Sequence, residues 1–350
     1  MISPHSPRRP RRTRGFRSAA AGVALLAIAC VLGACGMEDE PLPPAGAFVV
    51  PGTPAPTETP TEAPTPVPTA TPFPSPTVQT LAGTPSATFA PASVGQGEAT
   101  VVTVSHPGAA FASVRFLGKH YPLLRDGDIF WAVLAAPLTA PLGPTMATVT
   151  TRAPGGGTPS TVEAPISVVA VDRPVDYLIA SAAVTSVLTP EAGVTEEFLR
   201  SYEQFNAFVA RPQWDGVMVR PAEGFISTEF GQGRSINGGP VGSFHSGTDI
   251  ANDYGTPVRA AAPGRVAWAG PMPIRGNTVL IDHGAGVMTG YHHLQEVLVD
   301  VDDEVDPDTT IALMGSTGFS TGPHLHWEMT IYGVNVDPMT WTERVFAPER

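Results

Sequence analysis

A proline-rich segment is the feature that most restricts how this chain can fold. Between Pro41 and Pro91 there are 15 prolines in 51 residues, interleaved with Thr, Ala and Ser. Proline lacks a backbone N–H, and this composition offers too little apolar surface to offset the entropy of ordering. We therefore predict a disordered linker with polyproline II character over residues 36–92, which separates a short leader from a folded body.

The leader has the layout of an export signal. Six arginines precede residue 18, and an apolar run of 14 residues follows over 19–32. This run is shorter than the ~20 residues of a membrane-spanning helix and matches a signal-peptide core. It ends in Leu32-Gly33-Ala34-Cys35, which resembles the lipobox of bacterial lipoproteins. The resemblance implies a signal peptide over 1–35, a lipid on Cys35 and a membrane-anchored extracytoplasmic protein. The alternative is an ordinary secreted protein cleaved before the cysteine.

The rest of the chain is strongly acidic. After the leader, 14 basic residues face 32 acidic ones, and Lys119 is the single lysine of the sequence. A nucleic-acid partner is therefore not expected, because such binding needs cationic surface against phosphates. The two cysteines, Cys30 and Cys35, both lie in the leader. Cysteine nucleophiles, zinc ribbons and iron–sulfur centres are thus excluded from the body.

The first part of the body, residues 93–188, consists of short apolar runs with turn residues between them. Regularly spaced strands of this kind predict a small immunoglobulin-like β-sandwich. The runs that read as strands are Val101–Val104, Val114–Leu117, Phe130–Val133, Thr148–Thr150 and Ile166–Val169.

A helical connector is predicted over residues 189–218. Thr195 is the expected N-cap, and two glutamates follow it in the first turn. Phe198, Tyr202, Phe205 and Val209 recur at helical spacing and give one apolar face. Pro212 is expected to end the helix.

Six of the nine histidines follow residue 244, which points to a metal or acid–base site. His245 and Asp249 lie four residues apart, and His324 and His326 lie two apart. Gly247 and the β-rich surroundings argue against a helix, and even spacings along a strand project to one side. The pairs can then converge on one ion. Two imidazoles and a carboxylate suit Zn²⁺, with a fourth position for a water whose pKa zinc can lower to ~7.

The last third of the chain, 219–342, resembles the lysostaphin- or LytM-like zinc metallopeptidases, which cut peptide bonds in bacterial cell-wall peptidoglycan. The resemblance implies a LytM-like antiparallel β peptidase domain, so the whole body should be mainly β. The motifs that carry it are Gly224–Ser227, His245–Asp249, Gly255–Val258, Gly276–Val279, Ile281–Gly284, Tyr291–Leu294, Ser320–His326 and Val336–Pro338.

The resemblance also implies roles for individual residues. His245, Asp249 and His326 would be the zinc ligands, while His293 and His324 would be the catalytic histidines. His293 is preferred to His292 because the family position is the histidine just before the leucine. We expect the His292 side chain to point away from the site.

Three functions compete. The first is a zinc-dependent endopeptidase that acts on peptidoglycan peptide stems or cross-bridges, and retention of all five site positions favours it. The second is a catalytically inactive LytM-like module that binds and activates a cell-wall amidase. The third is a purely adhesive lipoprotein, which would not explain the series of motifs shared with the metallopeptidases. The acidic run 300–308 could bind calcium through its carboxylates. It lacks the ordered pattern of a 12-residue calcium-binding loop, so a solvent-exposed turn is favoured.

Overall fold

The computed structural model describes residues 81–195 and 211–348. The predicted signal peptide, Cys35 and most of the proline-rich segment lie outside the described residues, as do Phe198, Tyr202, Phe205 and Val209 of the connector. The described part is mostly β, as predicted. None of its helices is long and apolar enough to cross a membrane.

The first folded part contains two sheets that enclose a shared apolar core. Four strands pair in the order β1-β3-β7-β6 and five in the order β2-β9-β8-β4-β5. The five strands predicted from sequence are confirmed as β3, β4, β7, β8 and β9, whereas the immunoglobulin-like assignment stays a prediction. The strands are β1 (Ser86–Ala90), β2 (Ser93–Gly95), β3 (Ala99–Ser105), β4 (Phe111–Phe116), β5 (Lys119–Pro122), β6 (Leu124–Asp126), β7 (Ile129–Ala135), β8 (Gly143–Arg152) and β9 (Ser160–Val169).

Strand β1 lies inside the stretch predicted to be linker, so the folded part starts earlier than residue 93. It pairs antiparallel with β3 at the edge of its sheet, with Phe89 opposite Val102. Phe89 packs against the core. Pro85 and Pro91 flank the strand, and an edge strand tolerates neighbouring prolines because one side makes no ladder hydrogen bonds.

Strand β10 (Val175–Leu178) and the short helix α1 (Ala182–Thr185) precede the predicted connector and fall in the range predicted to be sandwich, but β10 pairs with strand β12 (Gly233–Ile236) of the last part. A second helical segment starts at residue 190, so Thr195 is not its N-cap. The cap is Thr189, whose Oγ1 accepts a hydrogen bond from the Ala192 N–H at 3.1 Å. Pro190 follows, and proline suits the first helical position because its missing N–H would be unpaired there anyway.

The last part is built on an antiparallel sheet with the order β11-β14-β22-β18-β17-β16-β20, and β23 pairs with β22. Two three-stranded sheets, β10-β12-β13 and β15-β21-β19, flank it. Its elements are β11 (Phe225–Thr228), β12 (Gly233–Ile236), β13 (Val241–Phe244), β14 (Gly247–Ala251), β15 (Pro257–Arg259), β16 (Gly264–Met272), β17 (Gly276–Asp282), β18 (Val287–Leu294), β19 (Glu296–Val297), β20 (Glu304–Val305), β21 (Thr310–Leu313), β22 (His324–Ile331), β23 (Val334–Val336) and α2 (Thr340–Glu343).

Two strand pairings bring the predicted site residues together. Strand β14 pairs with β22 so that Asp249 faces His326, and β18 pairs with β22 so that His292 faces His326. Gly247 makes the first pairing possible, because a Cβ there would lie 2.4 Å from the carbonyl oxygen of Trp327.

Candidate metal centre

Three side chains meet where strands β14 and β22 of the large sheet pair. His245 Nε2 lies 2.9 Å from Asp249 Oδ1 and 2.9 Å from His326 Nδ1. The third edge, between His326 Nδ1 and Asp249 Oδ1, measures 2.7 Å. All three side chains are buried. We refer to these three residues as the ligand triangle, and they are the set predicted from the sequence to bind the metal.

Each of the two histidines has an outer ring nitrogen, which points away from Asp249, and an inner one, which faces it. The partners of the outer nitrogens show where the protons lie. His245 Nδ1 lies 2.8 Å from the carbonyl oxygen of Glu229, and His326 Nε2 lies 3.2 Å from Glu328 Oε1. A carbonyl and a carboxylate can only accept, so these outer nitrogens carry the protons. The inner nitrogens of the neutral rings therefore present lone pairs toward Asp249. Three electron-pair donors around one point fit a divalent cation.

Arg234 fixes the other oxygen of the carboxylate. Its Nη2 donates to Asp249 Oδ2 at 3.1 Å. Oδ1 is then the oxygen that faces the two rings. Burial opposes ionisation of Asp249, but hydrogen bonds with His245 and His326 outweigh it and hold the pKa of the carboxyl well below its usual range. Asp249 is thus an anion at neutral pH.

A proton can occupy the same place as a cation. Burial lowers the pKa of His326, but hydrogen bonds to Asp249 and Glu328 outweigh it and raise the pKa above its ordinary value. Burial lowers the pKa of His245. A proton on His326 Nδ1 would lie between that nitrogen and Asp249. Metal binding must displace this proton, as for any site with histidine ligands.

His293 and His324 lie beside the ligand triangle. Their ring centroids are 4.8 Å apart, and His324 Nε2 lies 3.8 Å from Asp249 Oδ1. Each ring donates its Nδ1–H to a backbone carbonyl, that of Thr317 at 2.7 Å for His293 and that of Gly322 at 2.8 Å for His324. Both Nε2 atoms are therefore unprotonated in the neutral rings and can accept a proton.

The pKa values of this pair favour neutral rings. Burial is the largest cause for both, and it lowers the pKa of His293 well below its ordinary value and that of His324 below its ordinary value. Mutual repulsion with His324 lowers the pKa of His293 further. The pair therefore holds at most one proton at neutral pH.

An irregularity in β18 turns His293 toward the triangle. The β17–β18 register shifts between Asn277 and Val279, and His293 has a φ of 61°. A bulge of this kind re-aims a side chain, and a non-glycine residue with positive φ is a strained conformation that clusters at functional sites. The His293 N–H donates to the carbonyl oxygen of Arg275 at 2.9 Å, which holds the irregular backbone.

His292 lies behind the ligand triangle and does not line the cavity beside it. Its Nδ1 is 3.0 Å from Thr278 Oγ1, and its ring centroid is 5.5 Å from that of His326. Burial lowers its pKa to about 3. His283 also lies outside the triangle, and it donates its Nδ1–H to the carbonyl oxygen of Pro263 at 2.7 Å.

A small cavity of about 110 Å³ opens next to the triangle. Two arginines among its lining residues were not singled out in the sequence, nor was Glu328, a buried carboxylate that one of these arginines contacts. The sequence does contain a signal for Glu328. It follows His324 and His326 at intervals of two residues, and alternate residues of a strand project from the same face. The lining residues are Arg234, Ser246, Ile274, Arg275, His293, Phe319 and His326.

Comparison with known proteins agrees with this geometry. Residues 243–338 match the family model for peptidase family M23. The chain is 43% identical over 95 residues to the peptidoglycan DD-endopeptidase ShyA of Vibrio cholerae, covering 27% of this chain and 22% of that protein. It is 44% identical over 96 residues to the DD-carboxypeptidase/endopeptidase Mpg of Neisseria meningitidis, with the same two coverages of 27% and 22%. The chain thus spans about a fifth of the length of these curated relatives.

A solved structure extends the likeness beyond the matched segment. A candidate M23 peptidase from Pseudomonas aeruginosa superposes with a TM-score of 0.51 at 25% identity, covering 71% of this chain and 94% of that one. The matched motifs and the ligand triangle lie in the same stretch of sequence. Residues 243–338 of this chain are a peptidase family M23 domain.

Proposed function

We propose that this protein is a zinc-dependent endopeptidase that hydrolyses peptide bonds in the peptide stems or cross-bridges of bacterial peptidoglycan. The observation that carries the proposal is the ligand triangle, in which two imidazole lone pairs and one carboxylate oxygen lie within 2.9 Å of one another. The M23 match supports a peptidase. The names of ShyA and Mpg support peptidoglycan as the substrate.

The donor set of the triangle fits zinc. Two histidines and one carboxylate are a common catalytic zinc set, and they leave one position for water or substrate. When bound, zinc would polarise the scissile carbonyl and lower the pKa of a water molecule beside it. His245, Asp249 and His326 would hold the ion, while Arg234 keeps the carboxylate oriented through Oδ2.

His293 and His324 are the groups that can move protons. Their Nδ1–H groups are committed to backbone carbonyls, so only the Nε2 atoms can exchange protons with substrate. At neutral pH one of the two rings accepts the proton of the attacking water and returns it to the leaving amine. Because the rings are 4.8 Å apart, protonation of one disfavours protonation of the other. The pair therefore acts as a one-proton relay.

The second candidate, an inactive module that activates an amidase, is less well supported. An inactive relative is expected to lack a metal or catalytic position, whereas this chain carries all five. The five side chains also converge within one small region. The adhesive alternative provides no reason for three buried donor groups to face one point.

We also propose that the protein works outside the cytoplasm, where peptidoglycan lies. Lipid on Cys35 would anchor it to a membrane, and the proline-rich linker would let the folded body reach into the wall. At ~3.1 Å per residue, the 50 linker residues that precede β1 could span up to about 155 Å.

The test is hydrolysis of purified peptidoglycan by a soluble variant that starts at residue 36. We expect released peptides in which a stem or cross-bridge amide is cut, and we expect a chelator to stop the reaction and zinc to restore it. Asp249→Ala should be inactive. If the zinc-loaded protein releases nothing alone but accelerates an added amidase, the second candidate is correct.

A further inference from the structure

We propose that Glu328 is a positioning residue for the metal centre, which orients His326 and sets the tautomer of its ring. This inference rests on the proposed function in taking zinc as the bound ion. The primary observation is the contact between Glu328 Oε1 and His326 Nε2, at 3.2 Å on the side of the ring that faces away from the triangle.

The placement of Glu328 follows from the alternation of β22. His324, His326 and Glu328 are separated by two residues each, so their side chains leave the same face of the strand. His324 and His326 already point to the site. Glu328 is the next side chain in that row, and it is only 2% exposed.

Neighbouring polar side chains also hold the buried carboxylate. The hydroxyl of Ser246, next to His245, donates to Glu328 Oε1, and Arg275 Nη2 donates to the same oxygen. The Arg275 contact is an ion pair, and His292 Nε2 lies 3.5 Å from the other carboxylate oxygen, Oε2. Removing a carboxylate from water costs several kcal/mol, and a buried ion pair is often no more stabilising than apolar side chains of similar volume. Fold stability alone therefore gives little reason for a glutamate at this position.

Contact with a metal-binding histidine gives a better reason. A carboxylate that accepts the outer N–H of such a histidine fixes the ring orientation, keeps the inner nitrogen unprotonated and makes it a stronger donor. In this chain the outer nitrogen is His326 Nε2 and the inner one is Nδ1. Glutamine at 328 could still accept the hydrogen bond, but it would lack the negative charge.

The direct test is the zinc affinity of the protein, measured by chelator competition on a variant that starts at residue 36. We expect Glu328→Gln to bind zinc about 10- to 100-fold more weakly than the parent. Cobalt in place of zinc should show an altered visible absorption spectrum in this variant. Asp282→Asn is the matched control, because it removes another buried carboxylate, one on β17 that accepts the Gly284 N–H at 2.8 Å. Its zinc affinity and cobalt spectrum should match the parent.

Zinc affinity within twofold of the parent, together with an unchanged cobalt spectrum, would overturn the inference. If Glu328→Gln does not fold, Ser246→Ala is the second variant, because it removes one of the groups that hold the carboxylate. We expect it to weaken zinc binding about 10-fold, and parent-like binding would overturn the inference. These measurements use no peptide substrate. A parent protein that binds zinc but cleaves no peptidoglycan would contradict the proposed function alone.

Discussion

The ring nitrogens of the four site histidines and of His292, together with their partners, decide what each residue can do. His245 and His326 use their outer nitrogens for a carbonyl and a carboxylate, so their inner nitrogens face the triangle. His293 and His324 use Nδ1 for backbone carbonyls and keep Nε2 for chemistry. His292 is held by Thr278 behind the site. In the proposed function the same side chain would thus serve as ligand, proton carrier or core residue, according to its neighbours.

This assignment separates metal binding from turnover. We expect His293→Ala and His324→Ala to keep one zinc per chain yet lose about 10²-fold or more in turnover, because they remove proton transfer and no ligand. His292→Ala should mainly lower the melting temperature, since it leaves a cavity in the core. Metal analysis beside peptidase rates checks all three variants. Full activity in His293→Ala with a dead His292→Ala would show that the roles are reversed.

His283 provides a pH test remote from the metal centre. Burial lowers its pKa to about 4, against an ordinary value of 6.5. Between these values the unfolded chain binds a proton that the folded protein does not, so stability falls as pH drops from 6.5 towards 4, by up to about 3 kcal/mol. We expect urea unfolding of His283→Gln to show a smaller loss between pH 7 and pH 5 than the parent shows. Equal losses would contradict a neutral, buried His283.

At this scale the spacing of His245, Asp249, His324 and His326 predicted that these side chains converge, whereas the choice of His293 came from the resemblance to the LytM-like peptidases. The sequence did not predict Arg234 or Glu328. A charged residue within a strand reads as solvent-exposed, and only the tertiary contacts show that Arg234 meets Asp249 and that Glu328 is buried beside His326. The partners of a charge depend on strands far apart in the chain.

At the scale of elements, two loops position His293. The carbonyl oxygens of Arg275 and Thr317 accept its N–H and its Nδ1–H. Gly276 directly follows Arg275 and has a φ of 67°. A Cβ at this position would lie 2.4 Å from Thr317 Oγ1 and 2.6 Å from the Thr317 carbonyl oxygen. The close approach of the two loops therefore requires glycine.

Gly276→Ala should move Thr317 and with it the His293 ring. We expect turnover to fall about 10-fold or more while zinc content stays the same, since a displacement of ~1 Å can cost 10²-fold. Gly118→Ala is the control, because that glycine has a φ of 80° but no atom within 4 Å of the added Cβ. It carries only the backbone strain of about 1–2 kcal/mol, and its activity should match the parent. Equal activity in both variants would contradict the positioning role of the loops.

The elements themselves were predictable to different degrees. Alternating or continuous apolar runs in the sequence predicted strands β3, β4, β7, β8 and β9. The edge strand β1 falls within the predicted linker because Pro85 and Pro91 flank it, and proline is the residue that marks the linker. The helical segment from residue 190 has its start signal at Thr189-Pro190, six residues before the expected cap. Two acidic residues after Thr195 imitate a first turn, and local sequence alone does not distinguish the two starts.

At the scale of the whole molecule, the sandwich and the peptidase domain pack against each other. The Tyr121 and Tyr332 rings meet edge to face with centroids 5.5 Å apart, and the Asp337 N–H donates to the carbonyl oxygen of Gly97 at 2.8 Å. Arg173 Nε donates to the carbonyl oxygen of Phe230 at 3.1 Å. The body should therefore be studied as one piece, without removal of the sandwich.

The proposed anchor makes a prediction about location. If Cys35 carries lipid, the full chain should fractionate with membranes, because several acyl chains at ~0.8 kcal/mol per CH₂ hold firmly. Cys35→Ser should appear in the medium with its peptidase activity intact. Wild-type protein found wholly in the soluble fraction would instead favour a secreted hydrolase.

The central claim is that the ligand triangle binds a catalytic zinc ion. Crystallography of the zinc-loaded protein with anomalous data at the zinc edge tests this most directly. We predict one zinc per chain, held by His245 Nε2, Asp249 Oδ1 and His326 Nδ1, with solvent as the fourth ligand. A fourth protein ligand that closes the site, or no anomalous signal at the triangle in saturating zinc, would contradict the account.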